Sequence, residues 1–425
     1  MKQKYLVFFL TLIAGLSVST RKALADVVVK WQKNNNQVNI QKAIDTGDNT
    51  IIIPKASQPW LIGDSIYARK PNQKIILKPG VVLQAQKGAF KNRTSSMIVI
   101  LEDNITLSGY DATIKMRKAD YQNPNLYTPS EFRHNIMVRG ANNFAIEGLT
   151  LKDSGGDGIS VAHGRKASKN QIPAKKYSSG VIRDVVADNN HRQGISIMSA
   201  KDLLVENSTF KNTSGTNPSA GADLEPDHDW QKLQNIQFKN TDFINNKRHG
   251  IQIGLGKYRG PQVENISISF ENCNSIGNGE YGLKIQGIRP GFYNGPKGFI
   301  SFKDGEIKQS GQHGIWFRND QKNPAQTFEV NFENTSVVNT AQNGDSFNPI
   351  MLWNTKAAGG VTNVDFGSNF SIVDNKSRPP LMTNGLARKH GFTNISGTIK
   401  VNNSNQKPVN LGNNLKNVTL KVIKL

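Results

Sequence analysis

The sequence predicts an all-β fold in which short strands stack as the successive coils of a solenoid. One column of glycines recurs every 27 to 36 residues and opens a strand each time, at Gly158, Gly194, Gly221, Gly250, Gly282 and Gly314. A second column holds turn-forming side chains, at Asp184, Asn207, Asn240, Asn272, Asp304 and Asn334. The repeats are rich in Ile, Val and Phe and have no helical period. We therefore expect parallel strands about 4.8 Å apart, with the second column forming a structural ladder at a turn.

The start of the chain has the composition of an export signal. A basic start is followed by an apolar run over residues 6–16 and by Ala23-Leu24-Ala25, directly before Asp26. This pattern predicts a signal peptide over residues 1–25 and a secreted or periplasmic protein over residues 26–425. Because the apolar run is too short to cross a bilayer, no membrane insertion is expected once the signal is removed.

The part after the signal is expected to form a single β domain. Residues 38–46 place Val38, Ile40, Ala43 and Ile44 on one helical face, which predicts a short helix that caps the first coil. Regular coils are expected over residues 135–345, and looser coils over residues 346–425. Cys273 is the only cysteine, which excludes an intrachain disulfide and metal sites of the Cys/His type.

The chain is strongly basic, with a net charge of +21. Residues 1–25 carry four basic and no acidic side chains, so the part after the signal has a net charge of +17. A basic exported protein suggests an acidic partner, such as an acidic polysaccharide, a cell surface or nucleic acid. We expect an acidic polysaccharide as partner, no nucleic acid, and a monomer; ordinary solubility is the alternative reading of the charge.

The longest segments between repeats all follow the glycine-led strand, at residues 162–179, 254–262, 286–298 and 318–326. They carry the basic residues Arg165, Lys166, Lys169, Lys175, Lys176, Lys257, Arg259, Arg289, Lys297, Arg318 and Lys322, and the aromatic residues Tyr258, Phe292 and Tyr293. Insertions on one side of a solenoid usually wall a binding face. A basic groove with aromatic edges would bind a sugar polyanion. The alternative interpretation is that these segments are ordinary surface loops of a lysine-rich protein.

Only one copy of the glycine-led strand carries an acidic run. Asp223, Glu225 and Asp227 alternate along it and are expected to share its outer face. The phase of the repeat places further polar side chains within two coils of this strand, namely Asp157, His191, Arg192, Arg248, His249, Tyr281 and Lys284. Acids flanked by such groups suit proton transfer on a sugar, and a salt-bridged surface ladder is the competing interpretation.

The opening helix and the repeated strand of Gly, Ile, a polar residue and Ile resemble the right-handed parallel β-helix of the pectate-lyase-like superfamily, over about residues 38–425. Lys247-Arg248-His249-Gly250-Ile251 looks like the Gly-His-Gly-Ile strand of polygalacturonases, which places His249 on the active-site His of that family. Lys284 takes the place of the Arg, and Gln286 that of the Lys, in the family's Arg-Ile-Lys strand. Asp223 and Glu225 stand where the family has paired aspartates, and Asp157-Gly158 resembles its Asn-Thr-Asp-Gly motif.

A second resemblance is to mannuronan C5-epimerases. Gly221-Ala222-Asp223-Leu224-Glu225-Pro226-Asp227, followed by Lys247-Arg248-His249-Gly250, is similar to the Gly-x-Asp-Pro-His-Asp and Lys-His-Gly-Ile motifs of those enzymes. Glu225 occupies the place of their His, and Leu255 the place of an Arg.

These observations give three functional hypotheses. In the first, the protein is a glycoside hydrolase in which Asp223 and Glu225 act as acid and base and His249 hydrogen-bonds to one of them. The substrate is held by Asp157, His191, Arg192, Arg248, Tyr281 and Lys284, and no cofactor is expected. In the second, a lyase or uronate C5-epimerase neutralises the sugar carboxylate with Arg, or with Ca²⁺ held by Asp223, Glu225 and Asp227. In the third, the protein is a surface or adhesin β-helix without catalysis.

Overall fold

The computed structural model describes residues 26–168, 171–287, 295–319, 324–355, 361–403 and 407–425. Through these residues the chain winds as a parallel β-helix, which confirms the predicted all-β solenoid. The predicted signal peptide over residues 1–25 lies outside the described residues. Among the residues that are described, no helix is both long and apolar enough to cross a membrane.

One sheet, here called the site sheet, contains eleven parallel strands in chain order. They are Ile66–Ala68, Ile98–Ile100, Ile136–Arg139, Ile159–Ala162, Gln193–Ile197, Ala220–Leu224, Ile251–Gly254, Leu283–Gln286, Ile315–Arg318, Ile350–Leu352 and Leu381–Thr383. The six glycine-led strands of the repeat lie next to one another in this sheet. The stack therefore begins at residue 66, before the predicted regular region, because the earlier coils have the strand pattern without the glycine.

The remaining 25 strands form the other walls of the helix. They are Val27–Val28, Thr50–Ile53, Trp60–Ile62, Lys74–Leu77, Val82–Ala85, Thr106–Lys115, Phe144–Lys152, Ser178–Arg183, Val186–Asp188, Ala200–Glu206, Thr209–Lys211, Leu233–Lys239, Asp242–Ile244, Ile266–Glu271, Asn274–Ile276, Gly298–Lys303, Glu306–Lys308, Glu329–Glu333, Ser336–Val338, Val361–Asp365, Phe370–Val373, Phe392–Ser396, Thr398–Asn402, Leu415–Val418 and Lys421–Lys424.

Helices are few and short in the described part of the chain. An α-helix runs over Gln37–Asp45, close to the predicted 38–46, and buries Ile40, Ala43 and Ile44 against the first coil. The others are Lys118–Tyr121, Gly385–His390 and the 3-10 turn Pro324–Gln326.

The core runs along the axis of the helix and is built from the inward column of each strand. Ile195, Ile251 and Ile285 are all buried, as the period-2 pattern predicts. On the opposite wall Phe238, Phe270, Phe302, Phe332 and Phe366 stack face to face, with successive ring centroids 4.8 to 5.6 Å apart. Each coil thus buries its apolar face against its two neighbours, as expected of a solenoid.

The glycine column is explained by close approach of the backbone. A Cβ at Gly194 would lie 2.5 Å from the carbonyl oxygen of Gly221, and a Cβ at Gly221 would lie 2.8 Å from that of Gly250. The same contact recurs from coil to coil along the column. A side chain of any other type would push neighbouring coils apart.

The second predicted column forms a turn ladder. Its six residues all have a left-handed φ between 45° and 54°, which Asn and Asp tolerate better than other side chains. The amide of Asn240 donates to Asn207 at 3.1 Å, and that of Asn272 donates to Asn240 at 2.8 Å. The structural role predicted for this column is confirmed.

Candidate functional site

Two outward columns of the site sheet carry the polar side chains. The Asp223 column contains Met137, Ser160, Ser196, Asp223, Gln252, Lys284 and Trp316 in direct register. The Glu225 column lies two residues further along each strand and contains Arg139, Ala162, Met198, Glu225, Gly254, Gln286 and Arg318. The predicted phase of the repeat therefore matches the observed pairing.

Asp223 is held by the side chains on both neighbouring coils. Gln193 Nε2 donates to Asp223 Oδ2 at 2.8 Å, and Gln252 Nε2 donates to Asp223 Oδ1 at 3.1 Å. Gln193 Oε1 accepts from the backbone N–H of Ala220 at 3.1 Å, and Gln252 Oε1 accepts from Lys284 Nζ at 3.1 Å. Because each amide oxygen is already engaged, each amide must turn its N–H group towards the carboxylate.

The proton affinity of Asp223 is set by burial and by its neighbours. The side chain is 2% exposed. Burial, followed by the nearby Glu225, raises the pKa of Asp223 to about 7, while Arg192 and the hydrogen bond from Gln252 oppose the rise. Asp223 is therefore partly protonated near neutral pH, whereas an exposed aspartate would be ionised.

A second polar cluster lies two strands away, around Asp157. Ser196 Oγ donates to Asp157 Oδ2 at 2.6 Å, and Arg192 Nη1 lies 3.7 Å from the same oxygen. His134 Nδ1 accepts the backbone N–H of Asp157 at 2.9 Å, and burial lowers the pKa of His134. Arg192 Nε also lies 3.5 Å from Glu131 Oε2.

This cluster reaches the Asp223 site through Arg192. Burial disfavours the charge on Arg192, but Asp157, Asp223, Glu131 and Glu225 outweigh that effect and raise its pKa. A permanent cation thus lies between the two acidic centres. Sequence reasoning identified Asp157 and Arg192 but missed His134 and Glu131, which lie two and five residues before the start of the Ile136–Arg139 strand.

His249 does not contact the acids as predicted. It lies three residues before Gln252, which is the partner of Asp223 in the next coil, so the register places it opposite Ala220. Its Nε2 lies 3.4 Å from Lys284 Nζ, and its ring stacks on Tyr281 with centroids 5.1 Å apart. The predicted role of His249 as hydrogen-bond partner of Asp223 or Glu225 is therefore wrong, and Gln193 and Gln252 hold Asp223 instead.

The protonation states around His249 follow from burial. Burial, with Lys284 and Arg248 adding to it, lowers the pKa of His249 to about 2, so the imidazole is neutral. Burial also lowers the pKa of Lys284, with Arg248 contributing. His249 is therefore neutral but a very weak base, whereas Lys284 gives up its proton more readily than an exposed lysine would.

Two of the predicted substrate-binding residues are engaged in other contacts. Arg248 Nε donates to Glu280 Oε1 at 2.6 Å. Nδ1 of His191 lies 2.8 Å from Gln122 Nε2, and Nε2 lies 2.7 Å from Thr216 Oγ1. His191 therefore ties the Lys118–Tyr121 helix to the coil instead of reaching Asp223.

Asp227 does not continue the row of Asp223 and Glu225. The strand ends at Leu224, and Asp227 lies beyond Pro226, where it pairs with Lys257 Nζ at 2.6 Å. Its backbone N–H donates to Gln231 Oε1 at 2.6 Å. Within the described ranges, no three His, Cys, Asp or Glu side chains come together as a metal-ligand group, so the predicted set of Asp223, Glu225 and Asp227 does not form one.

The loops that follow the strands are less free than predicted. Lys175 pairs with Asp103 at 2.9 Å, and Lys166 Nζ lies 3.0 Å from His228 Nε2. Tyr258 is fully buried and donates its hydroxyl to the carbonyl of Gln231 at 2.9 Å, so the expectation that it edges the groove is wrong. The predicted groove residues Lys169, Arg289, Phe292, Tyr293 and Lys322 lie outside the described residues.

Sequence reasoning also missed Arg139, at the head of the Glu225 column. Arg139 pairs in register with Ala162 of the next coil. Burial, and then the charge of Arg165, lowers the pKa of Arg139. The repeat columns, if extended one coil towards the N-terminus, would have placed this arginine on the outer face.

The chain belongs to the family described as the right-handed beta helix region, whose model matches residues 130–377. The uncharacterized protein YclG of Bacillus subtilis (strain 168) is 26% identical over 224 residues, which is 49% of this chain and 38% of YclG. The chain thus matches well under half the length of this relative.

Solved structures share the fold over nearly the whole chain. The A-module of the mannuronan C-5 epimerase AlgE6 from Azotobacter vinelandii has a TM-score of 0.61 and 13% identity, covering 95% of this chain and 97% of that module. A family 28 exopolygalacturonase from Yersinia enterocolitica has a TM-score of 0.53 and 13% identity, covering 94% and 78%. At such identities the likeness shows the right-handed parallel β-helix alone.

Proposed function

We propose that this protein is an exported enzyme that hydrolyses a glycosidic bond of an acidic polysaccharide on the site sheet. The observation that carries the proposal is Asp223, a carboxyl group on the outer face with its pKa raised to about 7 and Glu225 two residues away. A protonated carboxyl at neutral pH is what a general acid needs. Because a fold does not determine an activity, the proposal depends on these residues and not on the fold.

The reaction would proceed with one proton given and one taken. Asp223 donates its proton to the glycosidic oxygen while the bond between that oxygen and the anomeric carbon breaks. Glu225 accepts a proton from a water molecule as the water oxygen bonds to the anomeric carbon. The products are two shorter saccharides, Asp223 is left ionised and Glu225 protonated, and exchange with solvent restores both groups. Because Asp223 is 2% exposed, side chains around it must move aside when the polysaccharide binds.

The acidic character of the substrate is inferred from the cations around the acids. Arg192 lies beside Asp157 and contributes to the field at Asp223, and Lys284 contacts Gln252 and His249. These cations would attract a sugar carboxylate or sulfate to the same face. The basic balance of the whole chain supports the same choice.

A panel of acidic polysaccharides incubated with the purified protein tests the proposal. We expect reducing ends to accumulate with at least one of them, and turnover to be nearly lost in Asp223→Asn and in Glu225→Gln. Thermal unfolding of each variant controls for loss of the fold. Full activity of both variants would refute the assignment, and binding without turnover by the wild-type protein would favour a non-catalytic polysaccharide-binding protein.

β-Elimination or C5-epimerisation is the second candidate. The specific observation in its favour is the neutral His249 within 3.4 Å of Lys284. Burial lowers the pKa of Lys284, so Lys284 in its neutral form could remove the proton next to a uronate carboxylate while Arg192 neutralises that carboxylate. An unsaturated product, or loss of activity in Lys284→Met but not in Asp223→Asn, would select this reaction.

A further inference from the structure

Arg139 occupies the end of the Glu225 column that faces the N-terminal coils. It closes the Ile136–Arg139 strand and stands three strands away from Glu225, with Ala162 and Met198 between them. At a strand spacing of about 4.8 Å, the two backbone positions are about 14 Å apart along the axis of the helix. A polysaccharide laid along the column would pass both residues.

The surface between Arg139 and the acids has a floor of small side chains. Ser160 and Ser196 lie in the Asp223 column and Ala162 in the Glu225 column, and all three are buried within their coil. The outer face between Arg139 and the two acids is therefore built mainly of short side chains, and Met198 is the long side chain among them.

The charge of Arg139 has no partner in the described part of the chain. Other partly buried arginines near the site are paired, Arg192 with Glu131 and Arg248 with Glu280. For Arg139, the described residues supply neither a carboxylate within ion-pair distance nor a hydrogen-bond acceptor, and the charge that acts on its pKa is that of another cation, Arg165. Arg139 is half-buried, so its charge is partly withdrawn from water without a counter-charge, and a ligand that supplies the opposite charge would be favoured here.

We propose that Arg139, assisted by Arg165, is an anion subsite that binds a carboxylate or sulfate group of the polysaccharide about three strands away from Asp223. The inference rests on the proposed function for its ligand, because it places this subsite and the bond-cleaving acids on one polysaccharide chain. The subsite also sets a minimum length for the ligand, since a saccharide must extend from Asp223 to Arg139 to contact both residues.

Binding in the Asp223→Asn background tests the subsite separately from turnover. Calorimetry would compare a disaccharide and a hexasaccharide of oligogalacturonate, a sulfated carrageenan hexasaccharide and neutral cellohexaose. We expect Arg139→Gln to weaken binding of at least one acidic hexasaccharide by about tenfold or more, and to leave the disaccharide unchanged, because a charge-assisted contact is lost only where the ligand reaches it. The carboxylated and sulfated probes tell which anion is preferred.

Arg183→Gln is the matched control, since Arg183 pairs with Glu147 at 3.1 Å on the wall outside the site sheet. It should leave all four affinities unchanged. Arg139→Gln should keep or raise the melting temperature, because it removes an unpaired charge, whereas a structural arginine would lower it on removal.

Equal affinity of Arg139→Gln and its parent for every acidic hexasaccharide would overturn the subsite, as would a parent that binds none of them. A loss of affinity that is the same for disaccharide and hexasaccharide would contradict its position. If Asp223→Asn proves fully active while Arg139→Gln still weakens hexasaccharide binding, the proposed hydrolysis fails and the anion subsite stands.

Discussion

Asp223 is subject to opposing effects on its proton affinity. Burial and the neighbouring carboxylate of Glu225 favour the protonated form, whereas Arg192 and the amide of Gln252 favour the ionised form. The resulting pKa of about 7 leaves the group able to give up its proton at neutral pH. The identity of each neighbour therefore controls the pH range in which Asp223 can act as an acid.

The first prediction concerns pH. Because the acid must be protonated, turnover should fall as pH rises through about 7. Gln252→Met removes a hydrogen bond that stabilises the ionised form of Asp223. The pH at which turnover falls to half of its maximum should therefore move to a higher value. Turnover measured from pH 5 to pH 9 tests the shift, with Gln286→Met on the next strand as control. A shift of this pH to a lower value in Gln252→Met would contradict the assignment.

Stability should respond to pH in the opposite sense to that of an ordinary aspartate. The folded-state pKa of Asp223 is raised, so between about pH 4 and pH 7 the folded protein binds more protons than the unfolded chain. The contribution of this group to the free energy of unfolding therefore falls as pH rises through that range. We expect the wild-type protein to lose more stability than Asp223→Asn between pH 4 and pH 7 in denaturant titrations. Equal pH dependence of the two proteins would contradict the raised pKa.

At the scale of the repeat element, the glycine column sets how closely coils pack. Gly194→Ala would place a methyl group 2.5 Å from the carbonyl oxygen of Gly221 and 2.7 Å from the Cβ of Phe210. Such overpacking should lower the free energy of unfolding by about 1–3 kcal/mol or more. Gly385→Ala is the control, because its nearest neighbour is the end of the Arg388 side chain at 4.0 Å. Equal stability losses in the two variants, measured in denaturant, would refute the close-approach account.

Substitutions in the turn ladder can separate two contributions to stability, the side-chain hydrogen bonds and the left-handed backbone conformation. Asn240→Ala removes the ladder hydrogen bonds and also forces Ala into a left-handed conformation, with φ 47°. Asn240→Gly removes the same hydrogen bonds but tolerates that φ. We therefore expect the Ala variant to be less stable than the Gly variant by about 1–2 kcal/mol in urea titrations. An Ala variant as stable as the Gly variant would show that the turn relaxes.

At the scale of the whole molecule, the repeat made most of the fold predictable. Two columns with a fixed phase determine which residues stack. The offset of each residue from its column glycine therefore predicts the observed pairing of Ser160, Ser196, Asp223 and Gln252. The first coils of the site sheet were harder to predict from the sequence, because they lack the column glycine. The capping helix was predictable from the apolar residues on one of its faces.

The site was predictable to the level of its columns but not of its contacts. The repeat phase predicts that Asp223 and Lys284 lie on one face of the site sheet. It does not predict that two glutamine amides hydrogen-bond to Asp223, or that His249 lies next to Lys284. Side-chain rotamers and the path of the chain after Leu224 decide those contacts, and a linear pattern does not encode them. The turn after Pro226 likewise removed Asp227 from the row.

The overall positive charge gives a prediction at this scale. Polysaccharide binding through exposed cations should weaken as ionic strength rises, because exposed charges are screened beyond about 8–10 Å at moderate salt. We expect the dissociation constant for an acidic polysaccharide to rise steadily with sodium chloride concentration. Affinity that is independent of salt, or binding to neutral glucans only, would contradict an acidic substrate.

The spacing of the two acids predicts the stereochemistry of the reaction. Asp223 and Glu225 are two residues apart on one chain, and the backbone N–H of Glu225 still donates to the carbonyl of Ile197 at 3.2 Å, so the extended backbone places their Cα atoms about 6.5–7 Å apart. Carboxyl groups that project in parallel from these two positions keep a similar separation. Such a separation falls within the range of about 6.5–9.5 Å that leaves room for a water molecule between two carboxyl groups, and exceeds the roughly 5–5.5 Å of enzymes that form a covalent intermediate. Hydrolysis should therefore invert the anomeric centre.

Proton NMR of the first product formed by the wild-type protein tests this account most directly. Recorded before the sugar anomers equilibrate, the spectrum should show a new reducing end with a configuration opposite to that of the cleaved bond. Asp223→Asn should yield almost none of it. A retained configuration would contradict the geometry of Asp223 and Glu225, and an unsaturated uronate would contradict hydrolysis itself.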